Sequence, residues 1–171
     1  LVGKKNGDEF DIAVDPLEGT NFTANDLPNA LTVLAVARKG NLLNAPDMYM
    51  EKIAVGPNLP LNLVDLDFSV EKNIKLLAKA KNVSPFEINA CVLRRSRHNK
   101  IVKDLTKMGV KIKFISDGDV SGVISVGFDK KIDIYLGVGG APEGVLAAAA
   151  LKCLGCQMQT RLSYQNKVDQ I

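Results

Sequence analysis

The chain has 171 residues, of which 46% are hydrophobic and 24% charged, and its formal net charge is +3. Lysine and arginine are spread along it and aromatic residues make up only 5%, which excludes the basic, aromatic-rich stripe typical of a nucleic-acid interface. The longest apolar run, Val145 to Leu151, is too short to cross a bilayer. We therefore expect a cytoplasmic globular protein that handles anionic small molecules, with no nucleic-acid or membrane partner.

The first part of the chain is predicted to be rich in strands. Residues 10–14 alternate between apolar and small or acidic side chains, and this period of two is typical of a strand. Because Pro16 removes a backbone donor, we expect the strand to end at Asp15. Further strands are predicted over residues 30–37 and 52–55, with a hairpin-type turn at 39–41 and a loop over 44–50.

A change of composition around residues 58–67 predicts a linker, and hence two domains at residues 1–66 and 67–171. Beyond it, Ser69 is placed to cap a helix. The elements predicted next are a strand over 88–93, a helix over 101–108, a strand over 110–114, a short helix ending near 127, a strand over 132–138 and a helix over 142–154. Such alternation predicts a layered α/β fold with sites at the strand ends.

The stretch from Asp15 to Thr20 gathers chemistry on what we expect to be a tight turn. It supplies two carboxylates, from Asp15 and Glu18, followed by Gly19 and the hydroxyl of Thr20. Oxygen ligands of this kind suit Mg²⁺ or Mn²⁺, and a glycine lets the backbone approach a ligand closely. The alternative is an ordinary β-turn with solvated acids.

A glycine-rich turn is predicted between the last strand and the last helix, at residues 137–144. Its glycines do not fit the dinucleotide fingerprint, and no Lys-Ser/Thr pair follows as in a phosphate-binding P-loop. Glu143 falls at the helix start, where a carboxylate is favoured electrostatically. It could therefore serve either as a helix-terminal charge or as a third metal ligand.

Three further groups have both a functional and an ordinary interpretation. The basic run from Arg94 to Arg97 follows a predicted strand and could bind phosphate or form a solvated surface, and His98 is predicted to be a surface or capping residue. The acidic pair at residues 117–119 could bind metal or sugar hydroxyls or form a capped turn. Cys153 and Cys156 match C-x-x-C, but at the C-terminal end of a helix they lack the activating dipole, so we predict two small buried residues.

The motifs together resemble a known enzyme family. The stretch Asp15 to Thr20 is similar to the metal-binding signature of the lithium-sensitive sugar and inositol phosphatases. The stretches 44–52, 117–120 and 139–145 resemble class II fructose-1,6-bisphosphatases, in the same order and over essentially the whole chain. The resemblance implies an αβαβα sandwich, incomplete at both ends. Residues 1–66 would be the strand-rich part of the metal-binding domain, and residues 67–171 the substrate domain.

The resemblance also implies roles for individual residues. Asp15, Glu18 and Glu143 would be ligands of Mg²⁺ or Mn²⁺, and Thr20 would orient the attacking water. Asp15, Glu18 and Thr20 would be the catalytic residues. The groups implied to contact the sugar bisphosphate are Glu18, Gly19, Thr20, Tyr49, Arg95, Ser96, Arg97, Asp117, Gly118, Asp119 and Gly140. Arg95 and Ser96 stand where the family commonly has Lys-Pro.

These expectations lead to one main function and two alternatives. The main one is hydrolysis of the 1-phosphate of fructose 1,6-bisphosphate, and of sedoheptulose 1,7-bisphosphate in addition, by a metal-activated water, in a homo-oligomer that serves gluconeogenesis or the Calvin cycle. The family carries further metal-site and water-activating residues in an upstream segment, so we expect this chain to be the central portion of a longer protein. The alternatives are a non-catalytic sugar-phosphate-binding or assembly module and an inositol-monophosphatase-like phosphomonoesterase.

Overall fold

A computed structural model of the protein describes residues 6–163 and contains two β-sheets. Five strands form a mixed sheet in the order β5-β4-β6-β3-β7, in which β4 runs parallel to β5 and β6 while β3 runs antiparallel to β6 and β7. The other two strands, β1 and β2, form an antiparallel pair. The strands are β1 Phe10–Glu18, β2 Leu31–Arg38, β3 Tyr49–Val55, β4 Asn89–Leu93, β5 Lys111–Ile115, β6 Ile134–Gly140 and β7 Gln157–Ser163.

Helices cover both faces of the five-stranded sheet. One face packs against α2 and α3 through Ile53 and Ile74, and the opposite face packs against α4 and α5 through Ala54 and Leu146. The helices are α1 Thr20–Ala24, α2 Val70–Lys81, α3 Asn99–Lys107, α4 Asp119–Phe128 and α5 Ala141–Cys153, with 3₁₀ turns at Pro85–Glu87 and Ser96–His98. None of the helices within residues 6–163 has both the length and the apolar character needed to cross a bilayer.

The β1–β2 pair lies outside the α4–α5 layer and completes a four-layer α/β/α/β arrangement. Ala13, Val33 and Ala35 on its inner side pack against the same cluster as α4 and α5. This confirms the predicted layered α/β class. The division into domains at residue 66 stays a prediction; β3, which precedes that point, pairs with β6 and β7, which follow it.

Strand β1 differs from its prediction because it continues past Pro16 to Glu18. Its register with β2 shifts between Asp15 and Glu18, so Pro16 falls at an irregularity where a ladder hydrogen bond is not required. The turn predicted at residues 39–41 forms, but it does not join β2 to β3 as a hairpin. Instead, the Asp11 carboxylate accepts hydrogen bonds from the backbone of Gly40 at 2.7 Å and of the next two residues.

The outer face of the β1–β2 pair is apolar. Phe10, Ile12 and Val14 on β1 and Leu34 and Val36 on β2 point away from the helices, and each is between 54% and 62% exposed. Ile12 lies opposite Val36, and Val14 opposite Leu34. These five side chains, which we call the outer face, form a continuous apolar surface.

Two other predictions change in extent. Tyr49 and Met50, expected in a loop, begin β3, and the glycines at 137, 139 and 140 belong to β6, so that α5 starts directly after the strand. Short α1 and strand β7 have no counterpart in the sequence-based prediction. By contrast, Ser69 caps α2 as predicted, accepting a hydrogen bond from the backbone of Lys72 at 3.1 Å.

Candidate active site

The predicted site residues collect at one edge of the five-stranded sheet. Parallel strands β4, β5 and β6 all end at this edge, and the antiparallel β3 begins there, with Tyr49 opposite Gly140. The carboxyl ends of parallel strands are the usual place for a binding site in an α/β fold. The loop after each strand therefore delivers its polar residues to a common region.

Two hydrogen bonds join the segment around the end of β1 and the start of α1 to the segment around the start of α4. The backbone of Val120 donates to Glu18 Oε1 at 2.6 Å, and the backbone of Asn21 donates to Asp117 Oδ2 at 3.0 Å. Gly19 and Gly118 are both in the left-handed region, with φ of 80° and 77°, and the Phe22 ring packs against both. The two acidic motifs, about a hundred residues apart in sequence, thus form one unit.

Glu18 is the carboxylate whose environment is most altered in this unit. Burial raises its pKa to about 7, and the negative charges of Asp119, Asp15 and Glu143 add to the increase, while the hydrogen bond from Val120 opposes it. A carboxyl group in such surroundings is stabilised in its ionised form by a cation. Asp15, half-buried, accepts a hydrogen bond from the Leu17 backbone at 3.0 Å.

Glu143 lies in the first turn of α5, with its carboxylate turned back onto Gly140. Its Oε2 atom is buried and has no hydrogen-bond partner among the described residues. A Cβ on Gly140 would occupy the space of this carboxylate, so glycine is required for the carboxylate to lie there. Buried charged oxygens are costly unless paired or bound to metal, which makes Oε2 a fitting donor for a cation.

Asp119 is a buried member of the predicted substrate ligands, and both of its carboxylate oxygens have partners in the protein. One of its oxygens pairs with Lys52 Nζ and the other accepts a hydrogen bond from the Tyr135 hydroxyl. Gly139 lies directly beneath, and a Cβ there would overlap the carboxylate. The Asp119 carboxylate is therefore held in one orientation, whereas the Glu143 carboxylate has an oxygen with no hydrogen-bond partner among the described residues.

Arg95 contacts the acidic loop that follows β5. One terminal nitrogen donates to the Ser116 carbonyl at 2.6 Å, and the other lies 3.6 Å from Asp117 Oδ1. The guanidinium is only partly exposed, so it is held in place at the rim of the site. Ser96, next to Arg95, is exposed at the start of a 3₁₀ turn. Thr20 is exposed at the start of α1.

Arg97 and Tyr49 form a second, separate pair. The guanidinium carbon lies 4.7 Å from the centre of the Tyr49 ring, and Arg97 Nε donates to the Val138 carbonyl at 3.0 Å. This stacking fixes the arginine plane while leaving its terminal nitrogens available to bind an anion.

His98 is buried, so its prediction as a surface residue is wrong; it does occupy the capping position before α3, although its side chain makes no capping hydrogen bond. Its Nδ1 donates to the Leu93 carbonyl at 2.6 Å, and its Nε2 accepts from the Val138 backbone at 2.8 Å. These two bonds require a neutral ring with its proton on Nδ1. The imidazole thus ties the end of β4 to β6, next to Arg97.

The structure predicts that His98 makes stability depend on pH. Burial lowers its pKa below 6.5 and nearby Arg97 lowers it further, although the hydrogen bond to the Leu93 carbonyl acts in the opposite direction. Below pH 6.5 the unfolded state therefore binds more protons than the folded state, and folding is progressively disfavoured as the pH falls. At pH 7, His98→Gln should lower the free energy of unfolding by about 1–3 kcal/mol through lost buried hydrogen bonds.

Urea denaturation from pH 7 to pH 5 tests this prediction. The stability difference between the unaltered chain and His98→Gln should shrink toward pH 5, because only the histidine becomes protonated. A constant difference over this range would show that His98 does not titrate with folding.

The Cys153 and Cys156 pair departs from its prediction in one respect. Cys153 is the last residue of α5, as expected from the helix-end position, but it is exposed rather than buried, and Cys156 is half-buried.

The three predicted metal ligands do not form a preformed coordination site in the described residues. Within residues 6–163, no group of three or more His, Cys, Asp or Glu side chains is arranged to hold a metal ion. Glu18 and Glu143 are nevertheless near enough for the charge of one to affect the pKa of the other. The ligand set Asp15, Glu18 and Glu143 stays a prediction.

Two residues of this region, Lys52 and Tyr135, are absent from the sequence-based prediction. Lys52 lies on β3 between Met50 and Ala54, which share its face of the sheet and are buried. The sequence did contain a signal for Lys52, because a lysine on the apolar face of a strand indicates a buried charge that needs a partner. Tyr135, on β6, has no comparable signal because a tyrosine fits any buried strand.

The sequence of this chain matches known proteins over almost its whole length. The family model described as bacterial fructose-1,6-bisphosphatase, glpX-encoded, matches residues 1–170. A fructose-1,6-bisphosphatase class 2 from Haemophilus influenzae is 43% identical over 168 residues, which are 98% of this chain and 50% of that protein. The Escherichia coli K12 fructose-1,6-bisphosphatase 1 class 2 is 42% identical over 168 residues, which are again 98% of this chain and 50% of that protein.

A Synechococcus protein named D-fructose 1,6-bisphosphatase class 2/sedoheptulose 1,7-bisphosphatase is 42% identical over 163 residues, covering 95% of this chain and 47% of that protein. The chain thus spans about half the length of the curated relatives it matches. The extent of the family match and the level of identity agree with the resemblance found in the motifs. The chain belongs to the family of glpX-encoded bacterial fructose-1,6-bisphosphatases.

Proposed function

We propose that this chain forms the central part of a metal-dependent phosphatase that hydrolyses the 1-phosphate of fructose 1,6-bisphosphate. The observation that carries the proposal is the buried, unpartnered Oε2 of Glu143, which lies in a group of acids where Glu18 has a pKa of about 7. A bound cation would pair with the Glu143 oxygen and would stabilise the ionised form of Glu18. Their oxygen donors fit Mg²⁺ or Mn²⁺, with Asp15, Glu18 and Glu143 as the proposed ligands.

A bound divalent cation would supply positive charge against the transferring phosphoryl group and a lower pKa for the attacking water. The chain's own residues would position the reactants. The Thr20 hydroxyl is exposed at the start of α1 and follows Gly19, where no side chain obstructs the backbone. We assign to Gly19 and Thr20 contact with the scissile phosphate, and to Thr20 the orientation of the water.

The arginines are proposed to hold the remainder of the substrate. Arg97 is stacked on Tyr49 and Arg95 is tied to the Asp117 loop, so both guanidinium groups are held at the strand-end edge. A prepositioned guanidinium can bind a phosphate with two hydrogen bonds. Activity on sedoheptulose 1,7-bisphosphate is part of the proposal, since relatives carry that activity in their names. We further propose a cytoplasmic homo-oligomer.

Phosphate release from fructose 1,6-bisphosphate in the presence of Mn²⁺ tests the function. The chain is compared with a longer protein that extends upstream to the length of the relatives, and each is measured with and without a chelator. We expect chelator-sensitive release from the longer protein. Release only from the longer protein would make this chain an incomplete site, and no release from either would refute the enzyme proposal in favour of a binding module.

A further inference from the structure

Lys52 is a charged residue in an enclosed position. It lies on β3, whose neighbours on the two sides are β6 and β7, and its side chain has no exposed surface. Lysine is rarely buried to this degree unless its charge is paired. Gly144 of α5 makes room for it: a Cβ there would lie 3.1 Å from Lys52 Cε. Both the sheet and the helix are therefore arranged around this ammonium group.

The Lys52 ammonium joins two segments of the site. It pairs with Asp119 at the start of α4, and it donates to the Gly140 carbonyl at the end of β6 at 2.7 Å. Tyr135 holds the other Asp119 oxygen. Both carboxylate oxygens of Asp119 thus have fixed partners, and the carboxylate cannot turn without breaking one of these bonds.

The two segments held by Lys52 continue into the proposed catalytic groups. Val120, next to Asp119, donates its backbone hydrogen bond to Glu18. Gly140 is the residue on which the Glu143 carboxylate packs. One ammonium group therefore sets the separation between the α4 side and the α5 side of the pocket.

We propose that Lys52 is a positioning residue for sugar-phosphate binding, which acts by holding Asp119 and Gly140 in place. This inference rests on the proposed function of the site. Lys52 does not contact the substrate itself, because its ammonium is enclosed and bonded to protein oxygens. A buried ion pair is a weak source of stability, since desolvation offsets the attraction, so its main effect here is to fix geometry.

The test measures binding of fructose 6-phosphate by titration calorimetry to the longer protein that contains this chain, a readout that needs no turnover. Lys52→Met should weaken binding at least about tenfold. Lys81→Met is the matched control: it removes the ion pair with the buried Asp133 at the opposite end of β6, and should leave the affinity within about twofold. Thermal unfolding of each variant reports whether it is folded.

A second pair of variants tests whether Lys52 acts through Asp119. In Lys52→Met/Asp119→Asn no buried charge is left without its partner, and this double variant is compared with Asp119→Asn. If Lys52 acts through Asp119, the added Lys52 change alters affinity by less than its effect in the unaltered protein. Equal effects in both backgrounds would overturn the proposal.

The outcomes separate this inference from the proposed function. Unchanged affinity in a folded Lys52→Met would refute the role of Lys52 even if phosphate release is observed. Binding of fructose 6-phosphate without any phosphate release would refute the catalytic function. The affinity of Lys52→Met would still decide whether Lys52 positions the binding site. Absence of fructose 6-phosphate binding by the unaltered longer protein would overturn the Lys52 inference, whereas the phosphatase proposal is decided by phosphate release alone.

Discussion

Glu143→Gln is expected to reduce phosphate release by about a hundredfold or more in the longer protein, because the loss of a cation-binding charge removes several kcal/mol of transition-state stabilisation. Glutamine keeps the size of the side chain and its place against Gly140 but cannot offer an anionic oxygen to a cation. The measurement is the initial rate of phosphate release as a function of Mn²⁺ concentration.

A matched control for this variant is Glu71→Gln, which makes the same chemical change on α2, where Glu71 is exposed and pairs with Lys75. Since α2 packs on the other face of the sheet, turnover should be unaffected. If Glu143→Gln has unchanged turnover and unchanged metal dependence, Glu143 is not a metal ligand.

Gly139→Ala is expected to lower the free energy of unfolding by about 1–3 kcal/mol through overpacking. The new methyl group would overlap the Asp119 carboxylate, which cannot move aside because Lys52 and Tyr135 hold it. Chemical denaturation of the two proteins measures the difference. Gly7→Ala is the control, since a Cβ there has nothing within 4 Å.

The adjacent glycine gives a contrasting result. At Gly140 the added methyl would overlap the Glu143 carboxylate, whose Oε2 has no partner and which is free to swing away. Gly140→Ala should therefore change stability by less than about 1 kcal/mol while reducing cation-dependent turnover. Equal stability losses at residues 139 and 140 would show that Asp119 is not held more firmly than Glu143.

Most elements were predictable because their patterns are local. The cap at Ser69 and the apolar face of α2 identify the helix, and the alternation over residues 10–14 identifies β1. The limits of β1 and β6 were not predictable. Pro16 normally ends a strand, but the register shift in its pairing with β2 accommodates it, and that shift depends on a partner strand. In the sequence, the glycines at the end of β6 suggest a turn. The structure shows another reason for two of them: the Asp119 carboxylate packs against Gly139 and the Glu143 carboxylate packs against Gly140.

The sequence motifs pointed to candidate site residues but not to the contacts among them. The motifs identified Glu18, Asp119 and Glu143, because each lies in a recognisable short stretch. The burial of His98 and the ion pair of Lys52 depend on segments that are distant in sequence, such as Val138 and Gly140. Local sequence carries little information about such contacts.

The outer face of the β1–β2 pair has a consequence for the behaviour of the chain in solution. Its five apolar side chains lie on strands that, within residues 6–163, pair only with each other, so an apolar surface and unpaired strand edges occur together. Exposed edges of this kind promote association between chains. We therefore expect the chain to self-associate at high concentration whenever this face is left uncovered.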